Sequence, residues 1–161
     1  MRTVWIACAL LLGGSVWADE GVSVEAAKGW LGALREHDAG KLKAATSFPF
    51  TEAGIGPGSR PCGKTAKAAS KEEFNKAIDC MISDADFVQS VSPSVDAKTV
   101  SLKQLDTATF KKNLGRLQPL AKDHTFVRTT VTGDGTTYNV LLAVKRAAGV
   151  SLVLVEPKNG D

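Results

Sequence analysis

The sequence has few of the side chains that metal sites and nucleophilic enzymes use. It contains two histidines, His37 and His124, three cysteines and a single tyrosine, Tyr138. A protein metal site needs several Cys, His or acidic ligands, and a catalytic thiol needs a histidine partner. The number and spacing of these residues offer neither arrangement. We therefore expect no metal and no other cofactor.

The sequence also lacks a long apolar run and a strong charge of one sign. A membrane-spanning helix needs about 20 consecutive apolar residues, and the apolar run from Thr3 to Leu12 is much shorter. The formal net charge of +3 is small, whereas nucleic-acid-binding domains carry a concentrated basic surface. These absences predict no membrane span and no nucleic-acid partner.

Residues 1–18 have the pattern of a Sec-type signal peptide. Arg2 supplies the positive start, an apolar run follows, and Ala18 offers a small residue before a cleavage point at Asp19. A lipidated Cys8 fits less well, because too little apolar sequence precedes it. We expect export to the periplasm or to the outside of the cell.

Removal of the signal peptide leaves residues 19–161 with a formal charge of +2 and two cysteines, Cys62 and Cys80. This length suits a single domain with its own core. In an oxidising compartment, an even pair of cysteines is most simply a disulfide. The Cys62–Cys80 bridge would close a loop of about 18 residues, which stabilises by about 3 kcal/mol in the chain-entropy model.

The C-terminal third predicts three strands joined by two tight turns. They cover Thr125–Thr132, Thr136–Arg146 and Val150–Glu156, and such short connections make neighbouring strands antiparallel. The middle strand is apolar on both faces, which predicts either partial cover on its second face or a pocket that the second face lines. The third strand could form an edge of the sheet, where it would invite strand addition or dimerisation.

The first half of the exported chain predicts helices that pack on this sheet. Apolar residues at helical spacing indicate a helix over 24–37 with Ser23 as its N-cap, and Asp38 caps a short helix after it. A capping box of Ser70 and Glu73 opens a third helix. A short strand is expected from Phe50 to Ile55, and a last helix from Thr107 to about Pro119.

The order of these elements resembles the NTF2-like superfamily, also called SnoaL-like or cystatin-like cone proteins. The segment Asp38-x3-Leu42-x4-Ser47-Phe48-Pro49-Phe50, with a glycine-containing loop behind it, carries the resemblance. It covers about Gly21 to Pro157 and is similar to exported bacterial members. The resemblance implies an α+β fold, in which N-terminal helices pack on a curved antiparallel sheet with a C-terminal three-stranded meander.

The resemblance also implies an open mouth that often holds a small apolar ligand. Members that resemble ketosteroid isomerase use an Asp base with Tyr and Asp as oxyanion donors in that cavity. Tyr138 is the single tyrosine here, and no acid stands at a matching position. We therefore carry over no catalytic residue.

Three functions stay open. The first is a non-catalytic exported domain that binds a small apolar molecule or an envelope protein; its candidate pocket residues, which are also candidates for the core, are Trp30, Phe50, Phe126, Tyr138 and Leu142. The second is a small cofactor-free isomerase or hydratase, for which Asp123 and His124 form the one local acid–base pair. The third is a structural domain that dimerises through its sheet.

Overall fold

The computed structural model describes residues 15–53, 65–82, 96–105, 109–133 and 136–158. The predicted α+β class is confirmed, and so are the helices on the N-terminal side and the C-terminal meander.

The helices and strands follow one another in a simple order. The N-terminal half contains α1 (Ser15–Arg35), α2 (Ala39–Ala44), β1 (Thr46–Ala53), β2 (Thr65–Ala68) and α3 (Lys71–Ile82). The C-terminal half contains β3 (Lys98–Val100), α4 (Leu102–Leu105), α5 (Leu114–Leu117), β4 (His124–Gly133), β5 (Thr136–Lys145) and β6 (Gly149–Pro157). Two 3-10 turns, Lys111–Asn113 and Gln118–Lys122, flank α5, and we call residues 111–122 the second-face run.

The six strands form one sheet in the order β2-β1-β6-β5-β4-β3. All neighbouring pairs are antiparallel except β1 and β6, which are parallel, so the sheet is mixed. The expectation that β6 could form an edge was wrong, because β1 pairs with its free side. The mostly apolar sequence of β6 is typical of a strand that is buried on both faces.

The first face of the sheet carries α1, α2 and α3. Ala27, Trp30, Leu31 and Leu34 of α1 are fully buried there, as their helical spacing predicts. The Trp30 ring stacks on Phe50 with a centroid separation of 6.0 Å. Trp30 Nε1 also donates a hydrogen bond of 3.0 Å to Thr46 Oγ1, which ties α1 to the start of β1.

The second face of the sheet is also covered. Leu105 of α4, Leu117 of the second-face run and Phe110, which directly precedes that run, are fully buried. They form a separate apolar cluster with Phe126, Leu141, Ala143, Leu152 and Leu154. The apolar character of both faces of β5 therefore has its explanation in cover on both sides.

The structure confirms the predicted helix-capping roles of Asp38 and Ser70 but not that of Ser23. Asp38 caps α2, because its Oδ1 accepts a 2.9 Å hydrogen bond from Lys41 N. Ser70 Oγ accepts from Glu73 N at 3.4 Å, as a capping box predicts. Ser23 is not a cap, because α1 continues through it. The last α-helix ends at Leu117, just before Pro119, as expected; Pro119 itself lies at the start of a 3-10 turn, where a missing N–H costs nothing.

Several expectations lie outside the described residues. Cys62 and the side chain of Cys80 are among them, so the disulfide stays a prediction, and so does the signal peptide, of which only the last residues fall within α1. Within the described ranges, no helix is both long enough and apolar enough to cross a membrane.

Candidate functional site

A cleft of about 370 Å³ opens where β3 ends and β4 begins. β3 stops opposite Phe126, while β4 begins two residues earlier at His124, so the corner leaves a notch beside the first residues of β4. The cleft is lined by Val100, Ser101, Leu102 and Gln104 from the β3–α4 corner, by His124 to Phe126 of β4, by Ala121, and by Glu20 and Arg146.

The floor of the cleft is apolar, and its rim is polar. Val100 and Leu102 pack against the second-face cluster to which Phe126 belongs. Ser101 and Gln104 form a local cap, in which Ser101 N and Ser101 Oγ both donate to Gln104 Oε1, at 2.7 and 3.0 Å. This cap holds the corner at the start of α4 in place.

One wall of the cleft is the ring of His124, which lies in a chain of hydrogen bonds. His124 Nδ1 is 2.6 Å from Asp123 Oδ1 and 3.1 Å from Leu120 O. His124 Nε2 is 2.7 Å from Ser151 Oγ. Because a carboxylate and a carbonyl can only accept, Nδ1 must carry the proton, and in the neutral ring Nε2 then accepts from the Ser151 hydroxyl.

The shape of β6 explains how Ser151 reaches this histidine. Val150 pairs with Val144, and Leu152 pairs with Ala143, so Ser151 is an extra residue with no register partner on β5. Such a β-bulge re-aims a side chain. Here it turns the Ser151 hydroxyl toward His124 and within 3.4 Å of Ala143 O. That carbonyl gives the hydroxyl an acceptor when Nε2 is protonated.

The neighbours of Asp123 change the pKa of its carboxyl group. The hydrogen bond from His124 lowers the pKa of the Asp123 carboxyl below its ordinary value; burial opposes this shift, and the charges of His124 and Lys145 add to it. Lys145 Nζ lies 4.0 Å from Asp123 Oδ2. The carboxylate is therefore ionised through the physiological range.

The connectivity of Asp123, His124 and Ser151 matches a serine-hydrolase triad, but their burial does not. In such a triad the acid is buried and the serine hydroxyl faces the substrate. Here the Asp123 side chain is 54% exposed, whereas Ser151 is 7% exposed and does not line the cleft. Both ring nitrogens of His124 are bonded to the protein, so neither one faces a ligand.

The structure separates the five predicted pocket residues. Trp30, Phe50 and Leu142 are buried in the first-face core, and Tyr138 packs against that core. Phe126 belongs to the cluster on the other face and lines the cleft. The aromatic and apolar residues therefore do not meet around one cavity among the described residues.

Of the local pair noted in the sequence, His124 lines the cleft and Asp123 is hydrogen-bonded to it; Ser151 was missed. The signal that could have found it is a lone serine within the apolar run 150–155, because a polar side chain in a buried strand needs a hydrogen-bond partner. Within the described ranges, no group of three or more His, Cys, Asp or Glu residues could hold a metal ion.

Comparisons of the sequence with protein families and with curated proteins gave no match. The assignment to the NTF2-like superfamily is therefore a proposal.

Proposed function

We propose that this protein is a non-catalytic exported domain of the NTF2-like type that binds a small molecule in the cleft beside His124. The observation that carries the proposal is the cleft itself, in which an apolar floor of Val100, Leu102 and Phe126 is surrounded by polar groups from several elements. Small-molecule sites are concave and combine apolar contacts with placed polar groups, and in this cleft the polar residues outnumber the apolar ones. The volume of about 370 Å³ lies at the small end of their range.

The chemistry of His124 favours binding over catalysis. A general base must have a ring nitrogen within reach of the proton that it removes. Both nitrogens of His124 already bond to Asp123, Leu120 and Ser151. His124 therefore lines the cleft as a residue that these bonds hold in place, which favours binding over isomerase or hydratase chemistry.

Thermal shifts with a library of small molecules test the proposal. A ligand at one hundred times its Kd stabilises the folded state by about 2.7 kcal/mol. Val100→Trp would fill the cleft and should abolish these shifts. The matched control is Val22→Trp, because Val22 lies on α1 and is 65% exposed; it should keep them. A library without any stabilising compound, or shifts that survive Val100→Trp, would contradict the proposal.

A second candidate function is ester hydrolysis by Ser151. The specific observation in its favour is the pair of short contacts, 2.6 Å from Asp123 to His124 and 2.7 Å from His124 to Ser151. A fluorophosphonate probe separates the two functions, because it labels an activated serine. Labelling that disappears in Ser151→Ala would support hydrolysis; an unlabelled protein that still binds ligands in the cleft would support the binding domain.

A further inference from the structure

We infer that the ligand of this cleft is a small zwitterion with an apolar side chain, a free α-amino acid or a dipeptide. The inference rests on the proposed binding function and adds the chemical class of the ligand. It is carried by two opposite charges that different parts of the chain place around one apolar floor, Glu20 from α1 and Arg146 from the turn between β5 and β6.

Glu20 supplies the negative side of the cleft. Its side chain is half-buried. Among the described residues no salt bridge or hydrogen bond reaches its carboxylate. A half-buried carboxylate that no described group pairs gains from a cation that brings its own hydrogen-bond donors. The ammonium group of an amino acid has this chemistry.

Arg146 supplies the positive side. It is exposed, and it also interacts with another group of the protein. Its guanidinium carries five N–H donors in a planar fork, a geometry that can serve a group of the protein and a ligand carboxylate together. Its backbone is fixed as well, because Arg146 N donates to Asp123 O at 3.1 Å.

A ligand with one charge fits this pair poorly. A simple anion would be attracted to Arg146 but repelled by the Glu20 carboxylate in the same small cleft. A simple cation would be attracted to Glu20 but repelled by Arg146. A zwitterion satisfies both charges at once. Val100, Leu102 and Phe126 then offer an apolar surface to its side chain. Thr99 and Thr125, which also line the cleft, offer hydroxyl groups to the ligand.

Three closely related probes test the charge requirement. They are L-leucine, N-acetyl-L-leucine, which lacks the ammonium, and L-leucinamide, which lacks the carboxylate. Affinity is measured by NMR titration of the secreted protein, in which the backbone amides of the cleft report the binding site. We expect each blocked form to bind at least about tenfold more weakly than leucine, since a hydrogen bond to a charged group is worth this much.

Two variants assign each preference to one residue. Glu20→Gln should bring N-acetyl-leucine and leucine to similar affinities, and Arg146→Gln should do the same for leucinamide and leucine. The matched controls are Glu25→Gln, which removes a carboxylate from α1 outside the cleft, and Lys122→Gln, which removes an exposed positive charge beside it. Both controls should keep the preferences of the unchanged protein.

The outcomes separate this inference from the proposed function. Equal binding of leucine and its blocked forms in the cleft would overturn the zwitterion and leave the binding domain intact. In a chain that begins at Asp19, the α-amino group could pair with the Glu20 carboxylate and abolish the preference for leucine. That result would also overturn the zwitterion and leave the binding domain intact. A protein in which neither these probes nor any library compound shifts the amides of the cleft would overturn both.

Discussion

At the scale of single residues, His124 has a structural task that its sequence context does not reveal. It joins the second-face run to β4 through Leu120 and Asp123, and it joins β4 to β6 through Ser151. The His124 side chain is 5% exposed, so each of its polar atoms needs a partner in the protein. The wall of the cleft is rigid because these bonds hold the ring from both sides.

Ser151→Ala tests this role. The substitution leaves His124 Nε2 buried without a partner, and an unsatisfied buried polar atom costs about 1–3 kcal/mol of stability. We expect a loss of this size in the free energy of unfolding, measured by urea denaturation. Lys122→Ala, an exposed change near the same histidine, should stay within about 0.5 kcal/mol. Equal stability of Ser151→Ala and the unchanged protein would show that the Ser151 bond does not hold the ring.

The pKa of Asp123 predicts an effect in acid. Because the folded state lowers this pKa below 3.8, the unfolded chain binds more protons, and the stabilisation is complete above 3.8 and disappears as the pH falls through the folded pKa. Asp123→Asn should therefore flatten the acid limb, which is the part of the curve of stability against pH that lies below about pH 4. Urea denaturation at several pH values measures this limb.

A double-mutant cycle isolates the cause of that effect. The hydrogen bond from His124 is the largest cause of the lowered pKa, so most of the effect of Asp123→Asn should vanish in a His124→Gln background. An unchanged effect in that background would assign the acid limb to Lys145 or to another group.

At the scale of elements, the turn before β6 meets the end of α2. Gly149 has φ +104°, and a Cβ at this position would lie 2.3 Å from Ala45 O. The next residue, Val150, donates its N–H to the same carbonyl at 2.9 Å. Glycine is needed here because the two backbones approach closely at the point where β6 begins its parallel pairing with β1.

Gly149→Ala should therefore destabilise the fold by more than about 1 kcal/mol, because both the positive φ and the contact with Ala45 O oppose a side chain. Gly29→Ala is the matched control. Gly29 is exposed within α1, and a Cβ there meets nothing within 4 Å, so the change should stabilise by about 1 kcal/mol. Thermal unfolding of both variants measures the difference. A neutral Gly149→Ala would mean that the turn can move away from α2.

The second-face run is part of the core, although it consists of short helical pieces. Leu117→Ala should destabilise by about 2–5 kcal/mol, as expected for a fully buried leucine. Arg116→Ala, an exposed neighbour, should change the free energy of unfolding by less than about 0.5 kcal/mol. If both substitutions were equally mild, the second face of the sheet would not depend on this cover.

At the scale of the whole molecule, the sheet lies between two unequal layers, and the cleft lies at a corner that both layers share. Glu20 reaches this corner from the first-face helix α1, whereas Val100 and Leu102 reach it from the second-face cluster. Among the described residues, the edge strands β2 and β3 have four and three residues, and short edge strands are one way in which a sheet discourages pairing with another chain.

Export predicts a defined start for the mature protein. The proposed cleavage point after Ala18 lies inside α1, and cleavage there would leave Asp19 and Glu20 in the first turn of the helix. Acidic side chains are favourable at this end of a helix dipole. Intact mass measurement of the secreted protein should give a chain that begins at Asp19. A retained N-terminus, or a lipid on Cys8, would contradict the predicted signal peptide.

Local patterns predicted the elements that depend on neighbours in the sequence. The three C-terminal strands, the apolar face of α1 and the Asp38 cap follow from side-chain period and from hydrogen bonds across three residues. The same reasoning failed at Ser23, where a good capping residue lies inside a longer helix. A capping residue satisfies free N–H groups only at the start of a helix, and this helix begins earlier, at Ser15.

The sequence by itself determined the class of fold, the apolar character of both faces of β5 and the presence of an acid beside His124. The tertiary structure alone decided that β6 is central, that Ser151 meets His124 from 27 residues away, and that Glu20 and Arg146 share one cleft. Strand order and such meetings depend on how distant segments pack, and no local period or spacing encodes the distance between them.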